Sequence, residues 1–239
     1  MSIAFVASDA VGFADGNGGH VYSIPSGAPA ADDLDILCIN SNTVVSSVAS
    51  AGGTAWSTRV DATNNQGAYV YSRKATSGEG GNITITTSGN HNTSLIWARF
   101  TGSNAYSSGN FARADNSNAT TLPALSTGTL AETGMLLVGF GALHNFDGTL
   151  AASPVWTNGF TDMGRGSSGA DGSSSAVVGM AAYKLNVGTA TEDVGGSLSW
   201  TNNARNRYAL YVAFTATADG FVRPKIIVPT QAQQRSRSW

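Results

Sequence analysis

Leu34-Asp35-Ile36-Leu37-Cys38-Ile39 is a short apolar run set between Asp32-Asp33 on one side and Asn40-Ser41-Asn42 on the other. Six residues are too few for a stable helix, and turn-forming residues bound the run at both ends, so it reads as a strand. Working outward, Tyr69-Val70-Tyr71-Ser72-Arg73-Lys74 mixes aromatic and branched residues with polar ones, and Ile83-Thr84-Ile85-Thr86 alternates strictly. Leu95-Ile96-Trp97-Ala98-Arg99-Phe100 follows a loop rich in Asn and Gly, while Ile3-Ala4-Phe5-Val6-Ala7 and His20-Val21-Tyr22-Ser23-Ile24 precede the group. No stretch carries an apolar stripe at helical spacing together with capping signals. Short spacings between the runs predict antiparallel pairing, and the fold class is all-β.

The order of these runs recurs about 100 residues later. Leu34 to Ile39 matches Met135-Leu136-Leu137-Val138-Gly139-Phe140, and Trp56 matches Trp156. Ala68 to Lys74 matches Val178 to Lys184, Ile83 to Thr86 matches Ser197 to Trp200, and Leu95 to Phe100 matches Ala209 to Phe214. The second copy has the longer loop, Gly164 to Ser175, made mostly of Gly and Ser. The connection from Gly102 to Thr133 is polar, without a charge run or a proline-rich spacer. The expected architecture is an antiparallel β-sandwich of jelly-roll type built from two repeated halves, approximately 30–102 and 131–216. These halves share one core within a body spanning residues 1–217.

Composition narrows the function classes. The chain of 239 residues is long enough to bury a sizeable core, yet only 12% of it is charged. A net charge of −2 argues against a generally basic nucleic-acid binder. The single cysteine excludes a disulfide framework and any zinc site of several thiolates. No apolar run approaches the length of a membrane span, and Met1 to Ala14 lacks the pattern of a signal peptide, so synthesis in the cytoplasm is expected.

After Thr217 the pattern changes, and residues 218–239 read as an extended C-terminal arm. Residues 221–239 hold four of the 13 basic residues and none of the 15 acidic ones, so this segment carries +4 and the remainder −6. Arg223, Pro224, Lys225, Ile227, Arg235, Arg237 and Trp239 are its candidate partner-binding residues, with Trp239 as an apolar anchor for a partner's pocket.

Candidate chemistry is sparse. His20, His91 and His144 stand in unrelated contexts and read as loop or surface histidines. Cys38 lies inside an apolar run, where a thiol is inert packing. Gly164-Arg165-Gly166-Ser167-Ser168-Gly169 matches the dinucleotide fingerprint in letters, but its flanks are more Gly and Ser, with no helix start to hold a pyrophosphate; it reads as a flexible loop. Asp32-Asp33 reads as a turn, and Asp15-Gly16-Asn17-Gly18 as hairpin chemistry. No catalytic residues, cofactor or metal ligands are assigned. Trp97 and Trp200 read as core, whereas Trp56 and Trp156 begin loop-flanked elements and are candidate glycan contacts.

The pattern of Asp33-Leu34-Asp35-Ile36-Leu37, then Trp56, then Val70-Tyr71-Ser72-Arg73-Lys74-Ala75-Thr76, then Ile83-Thr84-Ile85 and the run ending in Phe100, resembles a family of tailed-bacteriophage virion proteins of the minor tail or minor capsid type. The resemblance spans roughly residues 30–216, and the tail Arg223 to Pro229 with terminal Trp239 also fits it. Where that family often has Gly-Asp before its first long strand, this chain has Asp32-Asp33. The resemblance implies a structural, non-enzymatic virion component and carries no active-site residues across. It further implies other virion proteins as partners and a homo-oligomer, a trimer for example, with no nucleic acid and no membrane. A host-surface glycan is the alternative ligand.

Overall fold

The computed structural model describes residues 3–14, 17–50, 54–63, 67–76, 79–90, 92–117, 122–130, 132–144, 155–168, 176–199 and 206–216. The first strands are Ala4–Phe13 (β1), Asn17–Ser23 (β2), Leu34–Ser41 (β3), Val45–Ser50 (β4), Ser57–Thr63 (β5), Gly67–Lys74 (β6), Asn82–Asn90 (β7) and Thr93–Thr101 (β8). They continue with Ser103–Ser117 (β9), Met135–His144 (β10), Val155–Trp156 (β11), Thr161–Ser168 (β12) and Val177–Val187 (β13). A four-residue helix, Val194–Ser197 (α1), precedes Leu198–Ser199 (β14) and Asn206–Ala216 (β15). The chain is an all-β, antiparallel sandwich.

Two five-stranded sheets form its middle. One has the order β1-β8-β3-β6-β5 and the other β12-β13-β10-β15-β9. They face each other, with β1 over β12, β8 over β13, β3 over β10, β6 over β15 and β5 over β9. Leu34, Ile36 and Cys38 of β3, Val70 of β6, and Ile96, Ala98 and Phe100 of β8 meet Leu136, Val138, Phe140, Leu210, Val212 and Phe214 in the core between them. Each fully buried side chain of this size contributes about 1.5–3 kcal/mol.

The outer faces are covered as well. A three-stranded sheet, β2-β7-β4, lies on the first large sheet, where Tyr22, Ile24, Val45, Ile83 and Ile85 pack on Leu37, Ile39, Tyr69, Tyr71, Leu95 and Trp97. The second large sheet is covered by Leu125, Leu130, Phe160 and Val194, with Trp156 from the small β11-β14 ribbon. Sandwiched twice, β3 and β10 are buried at every position.

That burial on both faces hides the register of the two strands in the sequence. Leu34 pairs with Phe100 just as Leu136 pairs with Phe214, and all four face the shared core. A strand apolar on both faces has no period-two pattern to fix its register, and a one-residue slip exchanges the faces.

The Gly/Ser-rich stretch after Asp162 departs from expectation. Gly164 to Ser168 belongs to β12, an edge strand, while Gly169 to Ser175 lies outside the described residues. A Cβ on Gly166 would stand 2.7 Å from the Val11 carbonyl oxygen and 3.0 Å from that of Leu95, and one on Gly12 would collide with the Ser167 carbonyl. Here the two sheets touch backbone to backbone, which only glycine allows. Replacing Gly166 by Val is expected to cost about 2–3 kcal/mol by forcing the sheets apart. Gly19→Ala, where a Cβ meets nothing within 4 Å, is expected to melt close to wild type. Thermal melts of the two variants check the difference.

Candidate functional site

The arm residues Arg223, Pro224, Lys225, Ile227, Arg235, Arg237 and Trp239 lie outside the described residues, as do His91 and Trp200. The chemistry that is described concentrates at one end of the first half. Asp35 sits on β3 directly opposite Arg73 of β6 on one side and Arg99 of β8 on the other. Its Oδ2 accepts from Arg73 Nε at 3.3 Å and Nη2 at 3.0 Å, and from Arg99 Nη2 at 3.3 Å. Its Oδ1 accepts from Arg99 Nε at 2.7 Å and from Trp97 Nε1 at 3.2 Å. Both guanidinium groups also lie on indole rings, Arg73 at 4.7 Å from the Trp56 centroid and Arg99 at 5.0 Å from that of Trp97. Desolvated cation–π contacts of this kind offset part of the cost of burying the charges.

The network reaches into three connections. Arg99 Nη1 donates to Ser26 Oγ at 3.1 Å and to the Gly27 carbonyl at 3.3 Å. Asp33 Oδ2 accepts from the Ala30 amide at 2.9 Å, and Asp32 takes a φ of 70°, so Asp32-Asp33 forms the turn expected of it. Glu79 pairs with Arg73 Nη1 at 2.7 Å, and its other oxygen accepts from the Thr76 amide at 2.7 Å and the Thr54 amide at 3.1 Å. Burial alone would raise the Glu79 pKa, but the amides of Thr76 and Thr54 together with Arg73 outweigh it and hold the group below the ordinary carboxylate range. Asp33, Asp35 and Arg73, which carry the resemblance described above, are thus parts of one buried scaffold.

On the second large sheet the position between two neighbouring strands is Leu137, opposite Lys184 and Ala213. Lys184 pairs with Glu192 at 2.7 Å and lies 6.0 Å from the Phe160 ring centroid. There a lysine, a glutamate and an aromatic ring stand together.

Trp56 and Trp156 are not brought together. Trp56 is only 9% exposed, stacks on Arg73, and donates from Nε1 to Ser50 Oγ at 2.9 Å. Trp156 lies on the far side of the molecule, half-buried against Phe160 at 5.4 Å between centroids and over Gly139. Trp97 is fully buried, as read.

Between β4 and β5, which among the described residues pair only with β7 and β6, runs a groove of about 440 Å³ lined by Val44, Ser47, Val48, Trp56, Asp61 and Tyr71, among others. The β5 register shifts between Thr58 and Val60, so Thr58 opposite Tyr71 and Asp61 opposite Tyr69 both turn toward the groove. Tyr69 Oη accepts from the Val45 amide at 3.2 Å. Burial pushes the Tyr71 phenol up to about 12 and raises that of Tyr69, so both hydroxyls keep their protons at neutral pH. Sequence reasoning missed this groove, because β4 and β5 are polar strands with no apolar signal of their own.

His144 corrects a second expectation: it is fully buried at the end of β10, edge-on to Tyr208 at 5.1 Å. His20 is buried too, stacked on Phe13 at 4.7 Å. Neither His144 ring nitrogen has a hydrogen-bond partner among the described residues. Cys38 is wholly buried, and desolvation pushes its thiol well above the ordinary range, in keeping with inert packing. Among the described residues no group of three or more His, Cys, Asp or Glu could hold a metal ion, and no helix is long and apolar enough to cross a membrane. No family model, curated protein or solved structure matches the chain.

Two outcomes follow from these buried charges. Asp35→Ala leaves two guanidinium groups facing each other and is expected to cost about 3–5 kcal/mol. Replacing Asp35, Arg73 and Arg99 together by leucine is expected to recover much of that loss, and denaturant unfolding of the single and triple variants measures both. Desolvation pushes the His144 pKa down to about 3, below the roughly 6.5 of an unfolded histidine. The unfolded chain then binds more protons between these values. Stability is fully present above about pH 6.5 and falls below it by up to roughly 1.4 kcal/mol per pH unit. In melts from pH 7 to 4, His144→Phe is expected to lose less stability than wild type.

Proposed function

We propose that this chain is a non-enzymatic structural subunit of a bacteriophage virion, decorating or joining the capsid or tail surface and anchored through residues 221–239. The observation that carries this reading is the fate of its strongest polar residues. Asp33, Asp35, Glu79, Arg73 and Arg99 are drawn into a buried frame that ties strands to loops. Such a frame suits a durable particle component, whereas catalysis needs groups that reach a substrate. The charge split, +4 on the arm against −6 elsewhere, supports attachment of the arm to an acidic surface. Partners are then other virion proteins or further copies of this chain, with a trimer as one closed arrangement.

We also read the body as two jelly rolls set back to back. In a jelly roll, strands 1-8-3-6 form one sheet and 2-7-4-5 the other. The first half has β1-β8-β3-β6 and β2-β7-β4, with β5 carried over to the edge of the larger sheet. The second large sheet repeats that order as β9-β15-β10-β13-β12. Under this matching, β1 on β12 and β5 on β9 are the same contact made twice, as in a two-fold dimer whose subunits have been joined.

The alternative, a host-glycan-binding module gripping sugar through Trp56 and Trp156, has less support, since the two rings lie on opposite sides and Trp56 is already covered by Arg73. The virion reading is tested by a chain ending at Gly220. It is expected to fold and to be missing from assembled particles; normal incorporation would overturn the arm as anchor.

A further inference from the structure

We propose that the groove between β4 and β5 is the receiving site for the chain's own C-terminal arm, which enters it as an added strand over Lys225 to Val228. This goes beyond the virion reading: it gives Lys225 to Val228 to the body's own groove and leaves the residues after Pro229, with Arg235, Arg237 and Trp239, for a partner.

Four observations converge on that occupant. First, β4 pairs only with β7 and β5 only with β6 among the described residues, so two strand edges border one groove. Free edges of this kind are templates for a further strand. Second, the groove has a mixed lining: the buried Tyr69 and Tyr71 with half-buried Val48, and the exposed Ser46, Ser47, Thr58 and Asp61. An extended Lys225-Ile226-Ile227-Val228 presents Ile226 and Val228 to one side and Lys225 and Ile227 to the other, which matches a lining of buried rings and an exposed carboxylate.

Third, Pro224 and Pro229 bracket this segment. Proline is tolerated at the ends of an edge strand and stops the ladder from growing, so the added strand would be short and self-limiting. Fourth, the chain leaves the body at the right place. Ala216 ends β15, which lies against β5 and β6, and it pairs with Ser103 just beyond the end of β8. Ser57, at the Trp56 end of the groove, pairs with Ser72, near the same end of the sheet. At roughly 3.3 Å per extended residue, the step from Ala216 to Lys225 can span up to about 30 Å. Tethering sets an effective concentration near millimolar, which favours the chain's own groove over that of a second copy in dilute solution. The opposite charges of arm and body act in the same direction.

The test uses the full chain. Cys38, the only native cysteine, is wholly buried and leaves the surface free of thiols. Ser47→Cys in the groove is combined with Ile227→Cys in the arm, and mild oxidation is followed by non-reducing electrophoresis and mass measurement. Val21→Cys, on the exposed face of β2 away from the groove, combined with Ile227→Cys, serves as the control for chance collisions. A disulfide within one chain, forming at least tenfold faster at Ser47 than at Val21, is expected. Equal rates at the two sites, or no disulfide at Ser47, would overturn the groove as the arm's site. A disulfide joining two chains at Ser47 would overturn the chain's own arm as occupant in favour of exchange between copies. None of these results bears on whether the chain enters particles, which the truncation reads separately.

Discussion

The central strands of this protein are apolar on both faces, and everything else follows from the need to cover both. Had β3 and β10 alternated, one pair of sheets would have satisfied them. Because Leu37 and Ile39 point away from the shared core as Ile36 and Cys38 point into it, each large sheet needs a second cover. The β2-β7-β4 sheet supplies one, and the shorter β11-β14 ribbon with α1 and the segment from Leu122 to Leu130 supplies the other. The result is a four-layered stack in which hydrophobic burial runs through the whole thickness, and polar strands are pushed to the rims.

Within that stack the two large sheets set different groups between neighbouring strands. Between β3 and its neighbours stands Asp35 with Arg73 and Arg99; between β10 and its neighbours stands Leu137 with Lys184 and Ala213. Apolar replacement of a buried ion network is often neutral or favourable to stability, so the ionic version is not explained by stability alone. What it adds is reach. Through Arg99 and Glu79 it holds the segment before β3, the approach to β5 and the turn after β6, all near the Trp56 end of the groove. On the second large sheet the pair Lys184–Glu192 ties β13 to the segment before α1, with Thr127 Oγ1 accepting from the Glu192 amide at 3.0 Å.

How much of this could be read in the sequence depends on where each strand lies. The interior strands β3, β6, β8, β10, β13 and β15 are legible because burial demands long apolar runs. Edge strands are not: β5 reads Ser57-Thr-Arg-Val-Asp-Ala-Thr63, and β9 runs through Ser103 to Ser117 in a stretch that looks like a polar connection. An edge strand needs polar residues to avoid pairing with other chains, so its disguise has a physical purpose. The Gly/Ser stretch of β12 misleads for another reason. Its glycines answer to the Val11 and Leu95 backbones, far away in sequence, and not to a local turn. The ionic frame was equally hidden, since Asp35, Arg73 and Arg99 become neighbours only through the order of β6, β3 and β8 in one sheet. His144, read as a loop residue, is buried because β10 runs longer than its apolar stretch.

The placement of β5 links the fold to its surface. Were β5 paired with β4, the outer sheet would have four strands and its flank would be covered. Pairing with β6 instead places β5 over β9, widens the large sheet to five strands, and extends the contact between the two large sheets to both rims. The same choice leaves the outer sheet one strand narrower and opens the groove over Tyr69 and Tyr71. A rim contact on one side of the large sheet and an open flank on the other are therefore two consequences of a single strand assignment. Tyr69 softens the exposure by accepting from the Val45 amide, but a side-chain hydroxyl caps one backbone group where a paired strand would cap several. Among the described residues the β4 edge facing the groove has no paired strand, and a polar strand there carries its own backbone groups to solvent.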